Sequence, residues 1–341
     1  MQVTTIGLDL AKHVFQVHGV DAADAVVLRR RVRRSEMVRF FGRLECCLIG
    51  LEACATAHHW ARTLRALGHE VRLLPPHYVK AYVKRNKNDV ADAEAICEAV
   101  TRPSMRFVPV KSVEQQGTLA LHRGRELLIR QRTMLINALR GHMAEFGIIA
   151  AKGPSNAGAL VALLADPADD RLPTSALAAL RAIAAQLAMA EEQIAALHGE
   201  IVAWHRRSEA SRRLAGVPGI GPVIASAIVA TVADPSAFTS GRHFAAWLGL
   251  VPKQNATGGR QSLGRISKRG DSYLRRLLIT GAQSVLRWAK KGKSSPWLIA
   301  LLARRPRSVV AVALANKMAR IVWAMLRRGE DYRNEAIASA A

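Results

Sequence analysis

Hydrophobic and polar positions in the first hundred residues follow the period of strands, then of helices. Residues 4–20 read TTIGLDLAKHVFQVHGV, an alternation that predicts a strand hairpin at a sheet edge. Residues 25–32 form a second strand candidate after a short Asp-rich turn, and 36–44 carry a helical pattern. CLIGL at 47–51 suits a buried strand. An amphipathic helix over 57–67 ends at Gly68, and a strand over 70–74 stops at Pro75-Pro76. Helices are expected over 78–84 and 90–101. Strands with helices between them make residues 1–110 an α/β layer domain.

The pattern changes after Pro109. Residues 113–146 form a long, Arg-rich helical stretch, mildly interrupted by Gly117 and Gly124, and 152–173 read as a Gly, Pro and Asp-rich loop. Leu180, Ile183, Leu187, Ala190, Ile194, Leu197, Ile201 and Trp204 then recur in steps of three and four. That is an a/d seam, so 111–205 is expected to be a helical coiled-coil segment. Either a hairpin with the preceding helix or a dimerising helix satisfies it. Residues 206–341 are mostly helical, with Gly-rich loops followed by helices around 270–290 and 309–328.

Composition sharpens this picture. Aromatics are 5% while half the residues are apolar, which favours helices over all-β folds. The formal charge is +24, and from His205 onward 24 basic residues face 6 acidic ones, leaving +18 there. Such asymmetry implies a polyanionic partner, and a surface neutralising ~8 phosphates has a log–log salt slope of about −7. A merely solvated basic surface does not explain the asymmetry. Cys46, Cys47, Cys54 and Cys97 lie in apolar stretches, have no metal-ligand spacing and read as reduced core thiols. With no signal peptide and no uncharged apolar run of ~20 residues, a cytoplasmic protein without membrane insertion is expected.

Carboxylates inside apolar stretches stand out in so basic a chain. Asp9 lies in Ile6-Gly7-Leu8-Asp9-Leu10, and Glu52 ends Leu48-Ile49-Gly50-Leu51-Glu52. Asp89 and Asp92 share one face of a helix at their spacing. Buried carboxylates are normally paired or bind a cation, and an all-oxygen set suits Mg²⁺. Two such ions ~4 Å apart clamp a scissile phosphate. Singly, Asp9 reads as a turn residue, Asp89 as a helix N-cap, and Glu52 as the partner of an Arg or of His58. Only the set is informative. Its order is that of RNase H-like nuclease folds.

Two basic-half motifs carry further chemistry. LAGVPGIGP at 214–222, leading into a helical run to 232, looks like a helix-hairpin-helix whose Gly219 and Gly221 let backbone N–H groups reach a phosphate. The alternative is a Gly-rich turn between packed helices. GLVPKQNATGGRQSLGRISKRGDSYLRR at 249–276 reads as an ordered loop entering a helix capped by Asp271. Arg260, Arg265, Lys268, Arg269, Arg275 and Arg276 are its candidate phosphate holders. Ser262, Ser267 and Ser272 lack an adjacent His base, so a serine nucleophile here needs activation by metal or arginine.

GLDLAK, LEAC with AHHWAR, KNDVADAEAI, RFVPVKS, GVPGIG, FAAWLGLVPKQ and GRISKRGDSYLRRLL, in this order, resemble the DEDD transposases of bacterial insertion sequences. The likeness spans essentially the whole chain. It is to the bridge-RNA-guided serine recombinases of insertion-sequence family one-ten, subgroup eleven-eleven. It implies a RuvC-like domain at 1–110, a coiled coil at 111–205 and a transposase domain at 206–341, containing the helix-hairpin-helix (214–232) and the serine-loop region (249–276). It also implies a metal-binding tetrad of Asp9, Glu52, Asp89 and Asp92. A serine would attack DNA to give a 5′-phosphoserine link, the tetrad of one protomer completing the site around the serine of another. An element-encoded bridge RNA would pair with donor and target DNA. The sequence departs at Asn255-Ala256-Thr257-Gly258-Gly259, where Ala256 holds the expected nucleophile position. An engineered serine-to-alanine change, a naturally decayed copy, and use of Thr257 remain open. With Ala256, the chain is expected to bind nucleic acid without recombining it.

These readings lead to a nucleoid-associated recombinase, a homo-oligomer from dimer to tetramer, acting with Mg²⁺, DNA and a guide RNA. The alternatives are a RuvC-like nuclease or junction resolvase that uses water, and a nucleic-acid-binding regulator whose acids are structural.

Overall fold

The computed structural model describes residues 2–83, 88–151, 153–166, 169–289 and 294–333. Lys84, Lys152 and Lys290, at which expected segments begin or end, lie outside the described residues, as do 85–87 of the polar run before Asp89. The chain divides into two compact units, 1–112 with 233–237, and 113–232 with 238–341.

The first unit is built on five strands: β1 (Thr5–Asp9), β2 (Val14–Val20), β3 (Val26–Arg33), β4 (Leu48–Glu52) and β5 (Glu70–Leu74). Their order is β3-β2-β1-β4-β5. The first three pair antiparallel, whereas β4 runs parallel to both β1 and β5. The leading hairpin is therefore not at the edge as expected. β1 is central because it takes an antiparallel partner on one side and a parallel one on the other. Helices α1 (Met37–Phe41), α2 (Ala57–Ala66), α3 (Pro76–Val79) and α4 (Asp89–Val100) complete the unit. α1 is shorter than its pattern suggested because Arg34–Glu36 tightens into a 3₁₀ turn and Gly42 follows.

Alternation along the strands sorts the two faces. Ile6, Leu8, Phe15, Val17, Ile49 and Leu51 point into a core closed by Met37, Phe41, Trp60 and Leu64. On the opposite face Gly7 and Gly50 receive α4. A Cβ on Gly7 would stand 2.0 Å from the Ala93 carbonyl oxygen, and one on Gly50 would stand 2.8 Å from Cβ of Val100. Buried His69 ties the first core together: its Nδ1 accepts from the Cys47 N–H at 3.3 Å and its Nε2 donates to the Phe41 carbonyl at 3.0 Å.

The second unit contains α5 (Val113–Ala144), α6 (Ala157–Ala165), α7 (Thr174–Arg207), α8 (Glu209–Leu214), α9 (Pro222–Thr231) and α10 (Gly241–Trp247). It continues with strands β6 (Pro252–Thr257) and β7 (Arg260–Ile266), then α11 (Ser272–Arg287), α12 (Pro296–Arg304) and α13 (Arg307–Arg328). α5 and α7 pack antiparallel. Trp204 Nε1 donates to Glu114 Oε1 at 3.0 Å, and further along Gly124 faces Leu197. Ile136, Leu139 and Met143 share a core with Leu180, Ala184 and Leu187. The predicted seam is thus buried within the chain.

Two expected loops contain structure. α6 falls inside 152–173; its sequence AGALVALLA is apolar all round, so no period marks it. The 249–276 loop is largely the β6–β7 hairpin, whose residues are almost all exposed and so lack the apolar alternation of a half-buried strand. α13 is long and apolar enough to cross a membrane by length and composition. Val310, Ala315, Met318 and Val322 are nonetheless buried against neighbouring helices of this unit.

Gly7→Ala is expected to destabilise the protein by about 3 kcal/mol, because α4 has backbone where the methyl must go. The urea midpoint of the variant measures this, with Gly141→Ala as the comparison: its methyl meets nothing within 4 Å, and at an exposed helical position it should raise stability by up to about 1 kcal/mol.

Candidate functional site

Asp9 is the last residue of β1 and Glu52 the last of β4. The register Leu8↔Leu51 of these parallel neighbours puts the two carboxylates side by side on one edge. By alternation both lie on the face of Gly7 and Gly50, the face α4 covers. Both are half-buried. Cys47 and Cys97 are buried as expected, but Cys46 and Cys54 are exposed because each lies just outside its strand or helix. The Cys54 thiol is pushed up first by partial desolvation and then by the charges of Glu52 and Asp9.

The direction of α4 follows from its contacts. The Cys97 thiol approaches the Thr5 carbonyl at 3.8 Å, while Gly7 meets both Ala93 and Cys97. The helix therefore runs antiparallel to β1, with its first turn toward the strand's carboxyl end. Two strand residues advance about 6.6 Å and four helical residues about 6 Å. Extended by that spacing, the Gly7–Ala93 and Gly50–Ile96 contacts direct the first turn of α4, with Asp89 and Asp92, toward the end of the sheet that carries Asp9 and Glu52. Asp92 is half-buried and Asp89 exposed, both in the first turn. Asn88, not Asp89, caps the helix, its side chain accepting from the Ala91 N–H at 2.8 Å. That frees Asp89 from the capping role the sequence suggested. Among the described residues no three His, Cys, Asp or Glu side chains come together as a group able to hold a metal ion. His58 accepts from the Lys111 N–H at 3.1 Å, and burial followed by the charges of Lys111 and Arg62 lowers it to about 4.

In the second unit, Ala256 is exposed on β6 opposite Gln261, and Thr257 pairs with Arg260. Gly258 and Gly259, with φ of 56° and 78°, make the two-residue turn between them. The hairpin's base is tight: a Cβ on Gly270 would stand 1.8 Å from the Trp247 carbonyl oxygen. Arg275 fastens this base, donating to the carbonyls of Leu248 and Arg269 at 3.0 Å each. Arg276 pairs with Glu126 at 2.6 Å and lies over the Tyr273 ring. These two arginines hold protein, whereas Arg260, Arg265, Lys268 and Arg269 are exposed. Asp271 caps α11 as expected, accepting from the Leu274 N–H.

Gly219 and Gly221 differ in role. Gly219, at φ 87°, packs on α11, where a Cβ would stand 2.7 Å from the Gly281 carbonyl oxygen. Gly221 is the N-cap of α9 and faces open space.

Sequence reading missed His122. It is fully buried in α5, between Tyr273 of α11 at 2.9 Å and Ser226 of α9 at 3.1 Å. Ser226 spends its proton on the Pro222 carbonyl, so Nε2 donates to Ser226 and Nδ1 accepts from the Tyr273 hydroxyl. Burial, then Arg125 and Arg123, lowers His122 to about 4. Only its contrast with the polar residues around it in a long helix hinted at this.

Comparison with known proteins adds the decisive observation. A "Probable family 20 transposase" of Pseudomonas aeruginosa is 52% identical over 98% of this chain and 99% of its own length. The transposase for insertion sequence element IS1111A of Coxiella burnetii is 40% identical, with 97% and 92% covered. That for IS1328 of Yersinia enterocolitica is 38% identical, with 96% and 98% covered. Residues 6–148 match the DEDD transposase domain of the IS110 group, and residues 211–295 match the domain described as "Transposase IS116/IS110/IS902 family". The chain belongs to the IS110 family of DEDD transposases. The first domain match of this transposase contains all four carboxylates, and the second contains α8 to α11 with the hairpin.

His58 and His122 give the transposase an acid limit. Neutral in the folded chain down to about 4, both protonate near 6.5 once unfolded, so the unfolded state binds more protons between these values. Stability is full above pH 6.5 and falls as pH drops toward 4. Urea midpoints across pH 4–8 are expected to follow this slope, and His122→Gln to flatten it.

Proposed function

We propose that this transposase cuts and rejoins DNA at the ends of its insertion sequence, using a divalent metal site on the carboxyl edge of β1 and β4. What supports the reading most is one observation: Asp9 and Glu52 end adjacent parallel strands on the face that α4 covers. The sheet order and a helix laid on its glycines support an RNase H-like, RuvC-like domain. Asp9, Glu52, Asp89 and Asp92 offer only hard carboxylate oxygens, the donor set that Mg²⁺ prefers, and it is this chemistry rather than a preformed cluster that fits the ion. When bound, Mg²⁺ supplies Lewis-acid neutralisation of the scissile phosphate. The carboxylates hold and orient it, and α4 fixes the first-turn pair relative to the strand pair.

The second unit binds the nucleic acid. Residues 214–232 act as a helix-hairpin-helix, with Gly221 rather than the packed Gly219 open to a phosphate. The exposed Arg260, Arg265, Lys268 and Arg269 flank the hairpin that carries position 256. A serine there would form the 5′-phosphoserine link, the tetrad of another protomer in a dimer or tetramer completing the site. A bridge RNA would choose donor and target sequences, and the protein would work at the nucleoid. The methyl group of Ala256 favours a second reading for the chain as it stands: a metal-dependent nuclease in which water replaces the missing hydroxyl.

Mg²⁺-dependent nicking of element-end DNA is expected to fall roughly a hundredfold or more in Asp9→Asn and in Glu52→Gln. Mg²⁺ should raise the melting temperature of the parent protein but of neither variant. Unchanged nicking in Asp9→Asn would overturn the metal site. Ala256→Ser is expected to yield a covalent protein–DNA adduct on denaturing gels where the parent yields none; free nicked ends alone would favour the nuclease.

A further inference from the structure

A groove of about 1660 Å³ lies in the second unit between the hairpin, the start of α10 and the outer face of α13. Its floor is apolar, formed by Leu250, Ile266, Val312 and Ile321, and its rim carries Arg242, Arg265, Lys317 and Arg320. No carboxylate is among the described residues that line it. Among the described residues none of the four cations is in an ion pair. The wall is built, since Gly241 lets α10 cross α13 so closely that a Cβ there would stand 3.1 Å from the Arg320 carbonyl oxygen. Asn316 closes the floor by donating to the Leu250 carbonyl at 3.2 Å. At one end Trp297 is an exposed ring with the Lys317 ammonium 5.0 Å from its centroid.

An apolar floor, a stackable indole and an unpaired basic rim are three requirements of one ligand. Duplex DNA presents phosphates but keeps its base faces stacked, so it has no use for the floor or the indole. An unpaired strand presents both, its bases to apolar and aromatic surface and its phosphates to the rim. A protein partner would need acidic residues over the rim and would leave the indole–ammonium pair without purpose. We infer that this groove seats a short run of unpaired DNA, with a base stacked on Trp297 and phosphates on Arg242, Arg265 and Arg320. β7 contributes Leu263 and Arg265 to the wall, so the seat adjoins the hairpin that carries position 256. The choice of DNA as the polyanion rests on the transposase reading; the single-strand preference rests on the groove alone.

Fluorescence anisotropy of the full chain with labelled dT15, a 15-base-pair duplex and rU15 tests this. Trp297→Ala is expected to weaken dT15 binding about tenfold, within the range for a lost base stack. Duplex binding should stay within twofold, and Trp297→Phe should restore dT15 binding, separating stacking from folding. Arg242→Gln with Arg320→Gln should reduce the log–log salt slope for dT15 by about 1.4, the value for two single-strand phosphate contacts. Equal losses on dT15 and duplex, or no loss on either, would overturn the seat. Equal affinity for rU15 with the same sensitivity to Trp297→Ala would overturn the assignment to DNA. The dT15 measurements are made without divalent metal, where the carboxylate site has no cation with which to hold a phosphate, so a failed metal site and a failed seat give different results.

Discussion

The approach of α4 to the sheet is the contact on which the first unit's chemistry depends. Gly7 and Gly50 leave two bare patches on adjacent parallel strands, and the backbone of α4 occupies the space that side chains would fill. At that distance the helix cannot slide or rotate without collision. The stagger between the strand ends and the first helical turn is thereby fixed by main chain, which is stiffer than any carboxylate rotamer. Asp9 and Glu52, at the ends of the two strands, share that frame with the first turn of α4. The Cys54 thiol is raised first by desolvation and only then by the charges of Glu52 and Asp9.

In the second unit the basic residues divide by what they touch. Arg275 and Arg276 are engaged with carbonyls and a carboxylate, whereas Arg260, Arg265, Lys268 and Arg269 of the hairpin region and Arg242 and Arg320 of the groove rim are exposed. Positive charge spent on an internal partner is positive charge withheld from any external one. The hairpin adds no buried apolar area of its own. Its position rests on the Gly249 and Gly270 backbone contacts and on Arg275 at its base.

Much of the first unit was legible because half-buried strands and amphipathic helices write their burial into the sequence. Asp9 and Glu52 stood out because a carboxylate after an apolar run is unusual. The edge placement of the hairpin was misread because strand order depends on long-range pairing, which a local pattern does not encode. The cap was misassigned by one residue, as Asn88 and Asp89 are equally able to accept from a helix N-terminus. β6 and β7 were hidden because their residues face solvent, and α6 because it is apolar on every side. The α5–α7 seam was plain, but whether its partner lay within the chain required the fold. The role of His122 was not legible beyond its setting in a polar stretch of α5, since its two partners are 104 and 151 residues away.

That histidine has a mechanical consequence. Its two ring nitrogens bridge α9 and α11 from the third turn of the long α5 arm, inside a core where no water can substitute for a broken bond. A tilt of α5 must either carry the first turn of α11 with it or strand two polar groups in apolar surroundings. Asp271 and Tyr273 sit on that turn, directly after the hairpin. Leverage on the far end of the arm is thus delivered to the base of the strand bearing position 256, with the imidazole as the pivot pin.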